Sequence, residues 1–257
     1  MFIRTRNILL AFASLSALCS LTYVLWLPDV RLYARRDPQE TAYTRLREKQ
    51  ALRAGKKFSK RMTWVGMGGI SEHLQHAVVI AEDDTFYRHK GIDWNQFRIA
   101  VETNIRKRRF AYGGSTITQQ LARNLYLSPS KNPLRKLKEM LIARLLEKHL
   151  GKRRILELYL NVAEWGKGIF GAEAASRAYF GKPASGISPE EAVALASIMP
   201  SPARWKVNST SSGLIRRRDN ILSRMRASGY LPDEVERDLD ETPPGPALST
   251  APSISAR

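Results

Sequence analysis

From residue 71 onward apolar side chains recur every three or four positions, segment after segment, and nowhere does a stretch sustain the apolar–polar alternation of a half-buried strand. β-branched residues never cluster either. The body of the chain is therefore expected to be mainly α. Ser71 stands where it can cap a first helix whose inner face is Leu74, Ala77, Val78 and Ala81. A second amphipathic stretch covers 94–107, with Phe97, Val101 and Ile105 on one face, and runs through the basic stretch 106–109 to Phe110, Tyr112 and the Gly113-Gly114 break. A third opens at Asn132-Pro133, a cap followed by proline at the first helical position, and carries Leu134, Leu137, Leu141 and Leu145. Gly151 reads as the glycine just past its end. A fourth spans 152–162 and buries Ile155, Leu156, Tyr159 and Leu160. Ser188 to Glu191 form a capping box that opens a helix ending at Pro200, and a last helix covers 213–228 with Gly229 behind it.

At 257 residues the chain holds one good-sized domain plus appendages. Lys and Arg total 42 against 24 Asp and Glu, a net charge of +18 that asks for a polyanionic partner: nucleic acid, an anionic bilayer or a phosphorylated substrate. The one cysteine, Cys19, rules out an intrachain disulfide and a Cys-rich zinc site. His73 and His76 are three apart on a helix but lack an evident third ligand, so no metal site is expected there.

Residues 8–27 are uncharged and mostly apolar, long enough to cross a hydrocarbon core of about 30 Å as a helix. Arg4 and Arg6 precede the run, and Tyr23 and Trp26 sit near its far end as interfacial anchors do. A cleaved signal peptide is the plainer alternative, but no small-x-small cleavage site follows. The expected division is a cytoplasmic N-terminus at 1–7, a transmembrane helix at 8–27, a basic juxtamembrane stalk at 28–62, a catalytic domain at 63–241 and a disordered Pro-rich tail at 242–257. The domain would face the periplasm from the inner membrane. Basic runs at 106–109, 152–154 and 216–218 then read as solvated or headgroup-facing cations, and no nucleic-acid partner is expected.

Three clusters have chemical potential. Glu82-Asp83-Asp84 follow directly on an apolar helix, where the negative end of the helix dipole and partial burial both disfavour ionisation. A carboxyl with a raised pKa suits general base or acid work near neutrality; a solvated acidic helix end with Phe86 in the core explains the same residues. Gly113-Gly114-Ser115-Thr116-Ile117-Thr118-Gln119-Gln120 is followed by Arg123-Asn124, hydroxyls and amides next to a cation that suit sugar and phosphate oxygens. A loop entering a polar helix is the ordinary reading. Arg135, Lys136 and Glu139 are either a surface ion pair at helix spacing or a second cleft carboxylate flanked by pyrophosphate-binding cations.

In their order these clusters resemble the monofunctional biosynthetic peptidoglycan glycosyltransferases, the family whose domain also forms the front part of bifunctional penicillin-binding proteins. Its E-D-x-x-F-x-x-H-x-G pattern is met by Glu82, Asp83, Phe86, His89 and Gly91, and G-G-S-T-I-T-Q-Q-L stands unaltered at 113–121. R-K-x-x-E is met by Arg135, Lys136 and Glu139, and I-L-E-x-Y-L-N by Ile155 to Asn161, with Gly166, Gly171 and Tyr179-Phe180-Gly181 after it. The resemblance covers about 63–229, and no transpeptidase S-x-x-K or K-T-G region follows. It implies a lysozyme-like, two-lobed helical fold and lipid II as substrate, with the nascent glycan strand as donor. It also implies that Glu82 deprotonates the acceptor GlcNAc 4-hydroxyl, which attacks the MurNAc anomeric carbon with inversion and expels undecaprenyl pyrophosphate. Arg123 and Lys131 would balance the leaving group's charge, Arg123 standing where the family usually has Lys. Glu139 would act as a second site carboxylate. Asp83, Phe86, His89, Gly113, Gly114, Ser115, Thr116, Thr118, Gln119, Gln120, Asn124, Arg135 and Lys136 would complete the substrate site. Asp83 and Asp84 either orient their neighbours or meet a divalent cation, Mg or Mn. Membrane lipids and other cell-wall synthesis or division proteins are the implied partners. A lytic transglycosylase and a non-enzymatic basic scaffold are the competing readings.

Overall fold

The computed structural model describes residues 2–108, 113–130 and 132–231, and the side chains of 2–6, 8 and 9 are outside that description. The expected tail at 242–257, Phe110 to Tyr112 and Lys131 therefore lie outside the described residues. Ten α-helices dominate the described chain: α1 Phe2–Leu25, α2 Ala42–Arg53, α3 Glu72–Glu82, α4 Trp94–Arg106, α5 Ile117–Tyr126, α6 Pro133–His149, α7 Lys152–Val162, α8 Ala172–Phe180, α9 Pro189–Ile198 and α10 Ser212–Ala227. The mainly helical expectation holds. The helices pack in two groups, α3 with α9 and α10, and α5 with α2, α6 and α7.

Local sequence explains most helix starts. Asp93 accepts from the Gln96 N–H at 2.9 Å, Asn132 from Leu134 N–H at 2.8 Å with Pro133 at the first position, and Ser188 closes a reciprocal box with Glu191. Two expected caps behave otherwise. The Ser71 hydroxyl turns away from α3 and donates to the Ile187 carbonyl at 2.8 Å, tying that helix to the approach of α9. Gly151 has φ −70° and begins α7 instead of ending α6, which closes at Leu150. Left-handed glycines do stand after α8 and α10, at Gly181 and Gly229.

A three-stranded sheet went unforeseen: β1 Arg61–Met62, β2 Glu164–Gly166 and β3 Ile169–Phe170, in the order β1-β3-β2. β1 runs parallel to β3 with Arg61 opposite Ile169, and β2 is antiparallel to β3. Strands of two or three residues are too short to show alternation.

The sheet also corrects the expected stalk, because 28–62 is folded onto the body. Arg154 of α7 donates to the Tyr33 and Arg36 carbonyls at 2.8 and 2.9 Å and pairs with Asp37 at 2.7 Å. α2 packs on α5, opened by a Thr41–Thr44 capping box whose threonines are both buried. Composition concealed this because the segment docks through ion pairs and caps instead of an apolar stripe. α1 meets α6, where Lys138 donates to the Tyr23 carbonyl at 2.8 Å. Among the described residues no helix is long and apolar enough to cross a membrane.

The core is one cluster beneath both helix groups, with Leu74, Phe86 and Trp165 fully buried. Gly171, at the start of α8, shows how tightly the chain is drawn around it. Its φ is +86°, and a Cβ there would lie 2.8 Å from the Asn161 carbonyl oxygen. Gly171→Ala should cost about 1–3 kcal/mol, read as a lower urea midpoint at unchanged slope.

Candidate active site

Glu82 is the last residue of α3, and the extended φ of −166° at Asp83 turns the chain sharply after it. Its Oε2 accepts from Gln120 Nε2 and its Oε1 from Arg217 Nη2, each at 2.9 Å. Gln120 is aimed in turn by the Tyr159 hydroxyl, which donates to Gln120 Oε1 at 3.1 Å. Arg217 is braced by the Ser197 carbonyl at 3.1 Å. The Glu82 side chain is only 11 % exposed. Burial pushes its carboxyl pKa up, while the Gln120 hydrogen bond and the charges of Arg217 and Arg123 pull the other way.

Asp83 does the opposite work. Its carboxylate accepts the Ile117 backbone N–H at 2.9 Å and His89 Nε2 at 3.0 Å on both oxygens. His89 Nδ1 accepts the Gly91 N–H at 3.1 Å, which leaves Nε2 as the donor to Asp83. An anionic side chain at the first turn of α5 also suits the helix dipole. Thr116 adds the cap, accepting from Gln119 N–H at 3.1 Å and donating to the Gly91 carbonyl at 2.7 Å. Asp83 thus orients its neighbours. Asp84 pairs with Arg224 at 2.6 Å, and among the described residues no group of three or more His, Cys, Asp or Glu side chains is arranged to hold a metal ion.

Glu139, expected among the catalytic carboxylates, is fully buried. One oxygen pairs with Arg135 and the other with Lys136, both at 2.5 Å, and Lys136 also donates to the Ser115 hydroxyl at 2.8 Å. Burial lowers the Lys136 pKa, and Glu139 opposes the shift. The carboxylate lies behind the site and holds two cations in place. Phe86, Thr118 and Gln119 are likewise buried, with the Thr118 hydroxyl donating to Glu147 at 2.6 Å. These four side chains, and those of His89 and Lys136, line neither cleft cavity described next.

The larger cavity, about 880 Å³, is walled by Glu82 at the end of α3 with Asp83 and Asp84 just after it, by Gly113 to Thr116 leading into α5 and Gln120 on it, and by Arg217, Asn220 and Arg224 from α10. The smaller, about 280 Å³, is walled by Tyr43, Asn124, Ser130, Arg135, Tyr159 and Glu164. Gln120, Arg123 and Pro200 belong to both, so the two make one groove. The Arg123 side chain makes no hydrogen bond or ion pair among the described residues, which leaves this cation uncommitted between a buried carboxylate and a second, partly cationic chamber.

A transglycosylase family model matches residues 48–226. A biosynthetic peptidoglycan transglycosylase of Azoarcus sp. (strain BH72) is 47 % identical over 222 residues, covering 86 % of this chain and 93 % of that one. One from Aromatoleum aromaticum is 48 % identical over 205 residues, or 79 % and 86 % of the two chains, and one from Dechloromonas aromatica 42 % over 209, or 81 % and 90 %. This chain belongs to the transglycosylase family. It is an enzyme, a peptidoglycan glycosyltransferase, and the groove holding Glu82 is its candidate catalytic centre.

Several groove residues of this transglycosylase escape sequence reasoning. Arg217, Asn220 and Arg224 are spaced three and four apart, one face of α10, yet the Arg-rich run around them reads as solvated charge. Tyr43 lies in the supposed stalk and Glu164 in a strand too short to foresee. The raised pKa of Glu82 also has a stability consequence. The native state holds this proton more tightly than the unfolded chain does. Glu82's contribution therefore falls as pH rises from the ordinary carboxylate range through the raised value. Glu82→Gln should accordingly stabilise the protein at pH 7, with the gain vanishing below the ordinary carboxylate pKa, as thermal melts across pH will show.

Proposed function

We propose that this transglycosylase polymerises glycan from lipid II, with Glu82 as general base and the growing strand on its undecaprenyl pyrophosphate carrier as donor. The observation that carries the reading is the buried Glu82 carboxylate facing the larger cavity, with the uncommitted Arg123 where the two cavities meet. The acceptor's GlcNAc 4-hydroxyl lies in the larger cavity and gives its proton to Glu82. Its oxygen attacks the donor's anomeric carbon from the face opposite the pyrophosphate. The bond to the pyrophosphate oxygen breaks, and the α linkage becomes β-1,4. Arg123 meets the charge that develops on the leaving group, where electrostatic help counts most. Lys131, outside the described residues, joins it from the sequence reading. The two helix groups flanking a carboxylate-bearing groove suit a lysozyme-like, two-lobed fold.

A lytic enzyme of the same kind has no leaving pyrophosphate, and the cationic lining of Arg123 and Arg135 favours synthesis. Finished sacculi incubated with the protein should release no soluble muropeptides. With labelled lipid II, Glu82→Gln should reduce polymerisation about 10²–10⁴-fold in a folded protein, the range a positioned base supplies. That loss would exclude the scaffold reading, and undiminished activity would overturn Glu82 as the base. Because the base works ionised and burial raises its pKa, the acid limb of the rate profile should lie above the ordinary carboxylate range. Arg217→Ala, which removes an opposing charge, should move that limb to still higher pH.

The reading also gives α1 a purpose. Leu10, Phe12, Leu15, Leu18 and Leu21 are each more than half exposed, apolar surface that a lipid environment would cover. Residues 8–27 then anchor the enzyme in the inner membrane with its N-terminus cytoplasmic and its groove periplasmic, beside substrates whose tails stay in the bilayer. Removing 1–27, which also takes away the packing of α1 on α6, should slow polymerisation on lipid vesicles more than it weakens folding of the body; equal rates for the two forms would overturn the anchor.

A further inference from the structure

We propose that Glu164 is a substrate-binding carboxylate of the smaller cavity, held by Tyr43 and Arg47 so that its free oxygen accepts a hydroxyl of the donor sugar. The proposal rests on the placement of the donor given above. Glu164 opens β2 with its side chain 3 % exposed, yet it lines the cavity. Oε2 is saturated: Arg47 donates to it from Nε at 2.9 Å and Nη2 at 2.5 Å, and the Tyr43 hydroxyl at 3.2 Å. Oε1 has only the Gly168 N–H, at a long 3.4 Å, among the described residues. A carboxylate has about four acceptor positions, so Oε1 keeps strong unused capacity.

Burying this charge costs desolvation that an ion pair seldom repays, so stability alone is a poor reason for the arrangement. Its rigidity suits recognition better. The Tyr43 ring meets Phe170 edge-on at 6.5 Å, and the Arg47 guanidinium lies 5.1 Å from the Tyr43 ring. Both orienting residues belong to α2 and precede 48–226, the region the family model matches. The cavity's other elements, α5 and α6, bring the cations Arg123 and Arg135. Guanidinium groups from one pair of helices and a carboxylate from the sheet suit a ligand whose anionic group adjoins a hydroxyl-bearing ring. A glycosyl pyrophosphate has that chemistry: phosphate oxygens to the arginines, a sugar O–H to Glu164.

The test is equilibrium binding to the full-length protein in detergent, using two fluorescent ligands. One is lipid II with its GlcNAc 4-hydroxyl blocked, which can act only as donor; the other is undecaprenyl pyrophosphate, which has no sugar. Glu164→Gln should weaken the blocked lipid II about tenfold, the value of a hydrogen bond to a charged group, and leave undecaprenyl pyrophosphate within twofold. Tyr43→Phe, which keeps the ion pair, should weaken the blocked lipid II about threefold with the same selectivity. If Glu164→Gln lowers the melting temperature, Tyr43→Phe carries the comparison. Equal weakening of both ligands, or of neither, overturns the proposal. The measurement involves no turnover, so failure of Glu82 as base would leave it readable.

Discussion

The groove depends on one hydrogen bond between distant parts of the chain, from the Ile117 backbone N–H to the Asp83 carboxylate. Glu82 and Asp83 are consecutive, and the extended backbone at Asp83 sends their side chains opposite ways. Asp83 turns inward, where His89 and the first turn of α5 saturate it. Glu82 is left on the groove side, where it meets Gln120 from the second turn of that same helix. Glu82 and the groove wall are thereby registered to each other by a charge-assisted contact in a buried setting. Such contacts are about twice as strong as neutral ones, and removing one partner leaves the other unpaired where water does not reach.

A second buried layer fixes the cations. Glu139 has no exposure and satisfies both Arg135 and Lys136, and Lys136 hands on to Ser115 at the entrance of α5. The carboxylate lines neither cavity and faces these two cations instead. Removing it would strand two partly buried cations, a loss of about 3–5 kcal/mol by the usual behaviour of broken buried pairs. A loss of that size lowers activity through folding whatever the residue's chemistry, so lost activity alone cannot identify a catalytic carboxylate here. Glu82 differs in kind. Its burial opposes ionisation, which fits the general-base role proposed for it.

Most helices were legible because each is a local statement: periodic apolar residues bounded by Asn132-Pro133 or by the Ser188–Glu191 box carry their own start and stop. The site was legible as an ordered set of motifs, but the motifs do not separate touching from supporting. Phe86, Thr118 and Gln119 sit among the motif residues and turn out to be packed away, because they hold α3, α5 and α6 in register. What stayed hidden is what long-range ion pairs assemble. Arg47 lies 117 positions from Glu164 and Arg217 lies 135 from Glu82. Nothing local marks either arginine among 42 basic residues. The folded state of 28–62 was lost for the same reason, since its docking rests on Arg154, Arg47 and threonine caps.

α5 then links the two chambers in a way that no loop could. On this helix Gln120 and Arg123 are half-buried while Ile117 to Gln119, Leu121 and Ala122 are buried, so the pair forms the helix's groove-facing strip. Side chains three apart on a helix are neighbours, with Cβ atoms about 5–6 Å apart. Gln120 touches Glu82 and Arg123 borders the smaller cavity, so one rigid turn sets the separation between the proposed proton acceptor and the cation proposed to meet the leaving group. Transfer between two bound sugars is accelerated by holding the reacting atoms at a fixed, short distance, which can lower a barrier by about 7–11 kcal/mol. A helix capped by Thr116, pinned by Asp83 and packed on α6, α7 and α2 supplies that constancy. The Lys-to-Arg difference at position 123 changes the shape of the donor without loosening the turn that presents it.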